Sequence, residues 1–229
     1  MNSKTGYYED FDRFPSSSSR DSLAKNIIFH LPKSTSLYLL DLGCGCGDLL
    51  SKLYKPRGVF FGVDVSMPGI SKAKKLLKDR VNLIRANLFM TPFKKGIFNV
   101  ITFTEVLEHL ENQENALREI CRISSKDSIV VITVPYAMTF HIIRCLFQGQ
   151  IEVVYSLIKK GFYEDRKYRF NIPLHRYYTK RYLKKIVEEN GFDVIDCKII
   201  SYTLFRNITL GTTFFIVLKK NDIRHILNL

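Results

Sequence analysis

The sequence predicts an α/β fold, a three-layer sandwich around a seven-stranded, mostly parallel sheet whose last strand is antiparallel. Three observations predict it. Short apolar runs alternate with amphipathic helical stretches along most of the chain. The runs are apolar at consecutive positions, which is typical of strands that helices cover on both faces. The last two runs leave no room for a helix between them, so they most simply form an antiparallel pair.

The elements follow in chain order. The first helix is predicted over Asp21–Leu31, with an apolar stripe that Pro32 ends. Five strands are then predicted at Leu37–Leu42, Val59–Val63, Val81–Arg85, Phe98–Phe103 and Ser128–Val134. Helical stretches follow the first, second and fourth of these strands. A last helix begins after its N-cap Thr179 and ends before Gly191, and the final strands are Phe192–Ile199 and Thr212–Lys219.

The chain of 229 residues fits one domain, predicted over residues 21–229. Residues 1–20 before it are expected to form an N-terminal lid or a flexible segment, with Ser16–Ser19 as a polar linker. The stretch from Ala137 to Arg176 is too long for a simple connection. It carries its own helical pattern, so it is predicted to be a helical insertion after strand five, at the carboxyl edge of the sheet where ligands bind in open α/β folds.

The net charge is +13, from 35 Lys and Arg against 22 Asp and Glu, which indicates an anionic partner. Residues 137–185 hold 11 of the basic and 3 of the acidic residues, interleaved with ten aromatic residues. Four interpretations stay open for this region. It could bind a phosphate- or carboxylate-bearing small molecule, or an anionic membrane with Ile142, Ile143, Leu146 and Phe147 inward. It could bind RNA, or it could be a solvated basic face.

The five cysteines are scattered and odd in number, which favours a reducing, cytoplasmic compartment over a disulfide scaffold. Cys44-x-Cys46 lacks a second Cys or His pair at ligand spacing, so no metal site is expected. The polar, partly acidic first 20 residues do not resemble a signal peptide. No uninterrupted apolar run reaches about 18 residues, so no transmembrane helix is expected.

The most informative motif is Asp41-Leu42-Gly43-Cys44-Gly45-Cys46-Gly47-Asp48, between a predicted strand and a predicted helix. Its glycines allow a sharp turn and close approach of a ligand, and the following helix offers free N–H groups. A dinucleotide fingerprint would need glycine where Asp48 stands. The negative charge of Asp41 would repel a pyrophosphate, whereas it is compatible with a cationic ammonium or sulfonium group.

Four segments together resemble the class I S-adenosylmethionine-dependent methyltransferases, over about Asp21 to Lys219. They are the glycine motif, Gly62-Val63-Asp64-Val65-Ser66, Ala86-Asn87-Leu88, and Phe98-Asn99-Val100-Ile101 leading into Glu105-Val106-Leu107-Glu108-His109-Leu110. The last is close to the small-molecule and quinone-type branch of the family. The resemblance implies a Rossmann-like fold, S-adenosylmethionine as cofactor and S-adenosylhomocysteine as its product.

The resemblance also implies the cofactor-binding residues. Asp41 would lie near the ammonium, Asp64 would accept the ribose hydroxyls, and Val65 would pack on the adenine. Asn87 would meet the adenine amine, at a position where the family often has an acid. The full predicted set is Asp41, Gly43, Cys44, Gly45, Gly47, Asp64, Val65, Asn87, Leu88, Thr104 and Glu105.

The predicted reaction is methyl transfer to an oxygen or nitrogen of a small-molecule acceptor, with lipid-like and sugar-linked acceptors included. A base is needed only where the acceptor must first lose a proton. The candidate catalytic residues are His109, Tyr136 and Glu108, and His141 and His175 flank the insertion as acceptor-side loop residues. The insertion would then be an acceptor-side lid. The alternatives are an RNA or protein methyltransferase and a cofactor-binding regulatory module without turnover. The Asn/Asp-Pro-Pro-Tyr signature of nucleic-acid base methylation is absent, which disfavours a nucleic-acid partner.

Overall fold

The computed structural model describes residues 17–32, 37–136, 147–165, 174–205 and 208–221, with side chains described in 20–32, 37–136, 147–165, 174–200 and 213–221. The helices in these ranges are α1 (Ser17–His30), α2 (Asp48–Leu53), α3 (Met67–Leu77), α4 (Gln113–Ile123), α5 (Ile151–Lys159) and α6 (Lys180–Glu189). The strands are β1 (Leu37–Leu42), β2 (Gly58–Asp64), β3 (Asn82–Arg85), β4 (Phe98–Thr104), β5 (Ser124–Pro135), β6 (Phe162–Asp165), β7 (His175–Tyr178), β8 (Phe192–Phe205) and β9 (Ile208–Lys220). None of these helices is both long enough and apolar enough to cross a bilayer.

Seven strands form the main sheet in the order β3-β2-β1-β4-β5-β9-β8. Strands β1 to β5 pair in parallel, and β9 is antiparallel to both β5 and β8. The predicted fold class and the reversed last strand are therefore confirmed. This order places the ends of β1, β2 and β4 side by side at the carboxyl edge, which positions the residues that follow each strand.

Two apolar clusters, one on each face of the sheet, make up the core. The first includes Leu117 of α4 and Leu183 of α6, and the second includes Ile27 of α1, Leu50 of α2 and Leu77 of α3. Helix α6 begins and ends as predicted, since Thr179 Oγ1 accepts a hydrogen bond from Tyr182 N and Gly191 follows the helix at φ +90°.

Helix α1 begins four residues earlier than the sequence predicts. It starts at Ser17, so the predicted linker is wrong for Ser17–Ser19, and the segment assigned to residues 1–20 ends in a helix. Serine lowers helix stability only modestly. These serines can therefore continue the helix at its N-terminal end, because burial of the apolar stripe stabilises the rest of it. The rest of the predicted lid, residues 1–16, lies outside the described residues.

The insertion contains a second sheet that the sequence does not predict. Strands β6 and β7 pair antiparallel, with Phe162 opposite Tyr178 and Asp165 opposite His175. Each strand has only four residues, without an alternating apolar pattern, so local sequence gives no strand signal. The loop prediction for His175 is therefore wrong. Helix α5 confirms that the insertion is helical over Ile151–Lys159, whereas Ile142, Ile143, Leu146 and His141 lie outside the described residues.

Candidate functional site

The glycine motif forms a tight loop between β1 and α2. Gly43, Gly45 and Gly47 all have positive φ angles, of 83°, 51° and 82°. The backbone N–H groups of Gly43 and Cys44 both donate to Val63 O of the neighbouring strand, at 2.7 and 3.0 Å. The loop is thus held against the end of β2 by backbone contacts, and side chains pack close to two of its glycines, Val106 at Gly43 and Leu77 at Gly47.

Gly43 must be glycine for a steric reason as well as a conformational one. A Cβ at Gly43 would lie 2.4 Å from Val106 Cγ2, whereas a Cβ at Gly96, also at positive φ, would have no atom within 4 Å. We expect Gly96→Ala to cost about 1 kcal/mol from its left-handed backbone alone. Gly43→Ala should cost about 1–3 kcal/mol more, because the valine side chain is stiff. Urea unfolding of both variants measures the difference, and equal losses would contradict a clash with Val106.

Asp64 lies buried at the end of β2 and faces the glycine loop. Its Oδ2 accepts a hydrogen bond from Gly45 N and its Oδ1 accepts one from Ser66 N, both at 2.8 Å. Burial raises the pKa of Asp64, and these backbone hydrogen bonds partly oppose the rise. Each carboxylate oxygen keeps further acceptor capacity, so the side chain can accept two hydroxyl groups from a ligand at the loop.

Asp41 is buried at the end of β1. Its Oδ1 accepts a hydrogen bond from Thr102 Oγ1 at 2.7 Å. Burial raises the pKa of Asp41 to about 6, although the Thr102 hydrogen bond and the positive charge of Arg20 oppose the rise. Above about pH 6 the site therefore contains a buried negative charge, which favours a cationic group nearby.

This buried charge predicts a pH-dependent gain in stability for Asp41→Asn. Because folding raises the pKa of Asp41 from 3.8 to about 6, the wild type loses stability as pH rises through that window. Asparagine keeps an acceptor for Thr102 without the charge, so the variant should be about 3 kcal/mol more stable at pH 8. The two proteins should converge near pH 4. Urea unfolding without ligand measures this, and parallel pH curves would contradict it.

Two glutamates follow β4 and interact. Glu105 has an unusual positive φ of 56°, held by hydrogen bonds from its N to Thr133 O and Oγ1, both at 3.1 Å, and from Thr133 Oγ1 to its carboxylate. Glu108 Oε2 is buried and accepts no hydrogen bond from the described residues. Burial and the Glu105 charge raise the pKa of Glu108 well above its ordinary value. Glu108 therefore favours its protonated form, and the pair shares one proton.

His109 lies beside this pair in a defined orientation. Its Nδ1 is 3.0 Å from Leu174 O, and because a carbonyl can only accept, the neutral ring carries its hydrogen on Nδ1. Its Nε2 lies 3.8 Å from Glu108 Oε1. Burial lowers the pKa of His109, so Nε2 is a proton acceptor at neutral pH. The ring of buried His175 packs against His109 with centroids 5.1 Å apart.

The other predicted residues occupy different places. Tyr136 is half-buried at the end of β5, its ring 4.7 Å from Phe214. Asn87 Oδ1 accepts a hydrogen bond from Phe89 N at 3.0 Å, so this oxygen stabilises a turn. Val65 is exposed beside Asp64. The remaining predicted cofactor residues are buried or half-buried at the same edge: Cys44, Leu88 and Thr104.

Sequence reasoning missed three residues of the site. The Arg20 charge lowers the pKa of both Asp41 and Glu105, so this α1 side chain lies near both carboxylates. Thr102 and Thr133 hold those same two carboxylates by hydrogen bonds. Each threonine stands between two apolar residues inside a predicted strand, Thr102 between Ile101 and Phe103 and Thr133 between Ile132 and Val134, which is a signal that could have found them. No pattern in the sequence distinguishes Arg20.

A family model for a methyltransferase domain matches residues 17–196, which include every described site residue above. The chain belongs to this methyltransferase family. It is an S-adenosylmethionine-dependent enzyme of class I, as the resemblance implied. The residues fit this cofactor, since the glycine turn places backbone without a Cβ at the end of β1, the buried Asp64 can accept two hydroxyls and exposed Val65 offers an apolar surface beside it.

The chain is also similar in sequence to curated proteins, and it has the fold of a solved structure. The methyltransferase is 27% identical over 224 residues to an uncharacterized protein of Methanocaldococcus jannaschii, with 90% of this chain and 81% of the relative covered. It is 27% identical over 174 residues to the demethylmenaquinone methyltransferase of Lactococcus lactis, with 73% and 69% covered. A S-adenosylmethionine-dependent methyltransferase of Methanosarcina mazei has the same fold, with a TM-score of 0.68 at 14% identity over 86% of this chain and 97% of that one.

Proposed function

We propose that this methyltransferase transfers the methyl group to an oxygen or nitrogen atom of a small-molecule acceptor, with His109 as the base that removes the acceptor's proton. The observation that carries the proposal is the fixed orientation of the His109 ring. Its Nδ1–H donates a hydrogen bond to Leu174 O, and its Nε2 is unprotonated at neutral pH. A base of this kind suits a hydroxyl or ammonium acceptor, which must lose a proton before or during transfer.

We assign the cofactor to the carboxyl edge of β1, β2 and β4. S-adenosylmethionine, when bound, supplies an electrophilic methyl group. Asp64 would accept the ribose hydroxyls, Val65 would pack on the adenine, and Asp41 would lie near the ammonium. The rest of the predicted set would contact the cofactor through backbone or apolar atoms, with Thr104 and Glu105 at the methyl-donor end.

The glutamate pair supports the same arrangement. Because Glu108 favours its protonated form, it holds a proton beside His109 instead of competing with it as a base. Glu105 keeps one negative charge at the end of β4, where it favours a sulfonium or an imidazolium nearby. Tyr136 and His175 would contact the acceptor, and the insertion over residues 137–176 would cover it. The demethylmenaquinone relative supports a small, lipid-like molecule as the acceptor class.

The test is an acceptor screen with S-adenosylmethionine labelled in its methyl group. Purified wild-type protein is incubated with three pools: small hydroxyl and amine compounds including prenylated quinols, total RNA, and denatured protein. We expect label in the small-molecule pool, and its loss in His109→Gln. Label in RNA or protein would overturn the acceptor class. Cofactor binding without label in any pool would favour the regulatory module.

A further inference from the structure

Helix α5 (Ile151–Lys159) presents a stripe of apolar side chains to solvent. Ile151 is 76% exposed, Tyr155 62% and Ile158 75%, and Phe147 just before the helix is 88% exposed. Positions 151, 155 and 158 follow the spacing of one helix face. Soluble proteins bury such faces or use them to bind.

The opposite face of α5 attaches the helix to the protein. Val153 is fully buried against Tyr136, Tyr177 and Tyr163, and Ser156 Oγ donates to Phe162 O at 2.8 Å. The exposed stripe therefore faces away from the protein body. It is therefore not part of the core that the described residues form.

The stripe ends at a group of exposed cations. Lys159 and Lys160 close α5, and the next residue, Gly161, contacts the start of α6 through a hydrogen bond from Thr179 N to Gly161 O at 2.9 Å. Helix α6 begins with exposed Lys180 and Arg181. Lys159 and Lys160 thus lie at the end of the outward apolar stripe, and Lys180 and Arg181 begin the helix whose N-cap contacts Gly161. Glu152 is the one acid on α5.

We propose that the α5 stripe docks the methyltransferase on an anionic phospholipid bilayer. Apolar side chains would enter the interfacial region, and the four cations would meet acidic headgroups. The charge favours a bilayer over a second copy of this chain, because two copies would bring like charges together. Since α5 packs on Tyr136 at the end of β5, docking would bring the bilayer to the end of the sheet that carries the site.

The test is flotation of the purified protein with vesicles, in the absence of cofactor and acceptor, so its result does not depend on the proposed reaction. Wild-type protein should bind vesicles of phosphatidylcholine mixed with phosphatidylglycerol, and bind pure phosphatidylcholine far less. The double variant Ile151→Ser/Ile158→Ser should lower the partition coefficient at least about tenfold. Lys159→Gln/Lys160→Gln should reduce the preference for anionic vesicles.

Phe29→Ser is the matched control, since Phe29 is 83% exposed on α1 and should not affect vesicle binding. All substituted side chains are exposed, so each variant should fold. An unchanged circular dichroism spectrum and an unchanged affinity for S-adenosylhomocysteine verify this. Absence of vesicle binding, or an equal loss in Phe29→Ser, would overturn the proposal. Sedimentation velocity gives a further test. The proposal would also be overturned if the wild type dimerised with rising concentration, and Ile151→Ser/Ile158→Ser abolished this dimerisation but still bound vesicles.

Discussion

Asp64→Ala should lower the affinity for S-adenosylhomocysteine by about 10²–10⁴-fold. The buried carboxylate accepts backbone hydrogen bonds from Gly45 and Ser66 and would also accept two ribose hydroxyls. Hydrogen bonds to a charged group contribute about 1.5–3 kcal/mol each, and two of them give the expected range. Calorimetric titration of the wild type and the variant measures the difference.

Two variants separate the ribose contact from damage to the loop. Asp48→Ala removes an exposed carboxylate at the first turn of α2, next to the same loop, and should bind like the wild type. Asp64→Asn keeps one acceptor oxygen and should bind with intermediate affinity. If Asp64→Ala retained the affinity of Asp48→Ala, the ribose would not lie at the end of β2.

His109→Gln should lower kcat by about 10²–10⁴-fold with an acceptor identified in the labelled screen, while the KM for S-adenosylmethionine changes little. Glutamine can still donate to the carbonyl of Leu174, but it cannot accept a proton as a base. The matched control is His30→Gln on α1, since His30 Nδ1 also contacts a backbone carbonyl, Asn26 O at 2.8 Å. His30→Gln should keep full activity.

The pH profile tests the same role independently. A base must be unprotonated, and burial lowers the pKa of His109 from its ordinary 6.5. Wild-type kcat should therefore stay constant near neutral pH and fall only below pH 6.5. His109→Gln should lose this acid limb. An acid limb at the same pH in the variant, or an unchanged kcat, would contradict a base role for His109.

The main sheet was predictable because its strands are continuous apolar runs, and β1 matches the predicted Leu37–Leu42 at both ends. Strand ends such as those of β5 and β8 extend further, since pairing with a neighbour continues past the apolar run. The β6–β7 pair was not predictable. Tyr177 and Tyr178 are buried there by α5 and the main core, which is tertiary packing that a four-residue pattern does not encode.

The candidate site was predictable where a motif fixes the backbone. Gly43, Gly45 and Gly47 do have positive φ, and Asp64 does face their loop, because a glycine motif after a strand leaves few conformations. Partners distant in sequence were not predictable. The contact of His109 with Leu174, 65 residues away, depends on how the insertion folds back.

Calorimetric titration of the wild-type protein with S-adenosylmethionine and S-adenosylhomocysteine tests the central claim most directly. We predict one binding site per chain for each compound, with micromolar affinity and stronger binding above pH 6, where Asp41 carries its charge. Absence of binding by folded protein, verified by a cooperative thermal transition, would contradict the account. The fold assignment would then remain, and the proposed methyl transfer would be rejected.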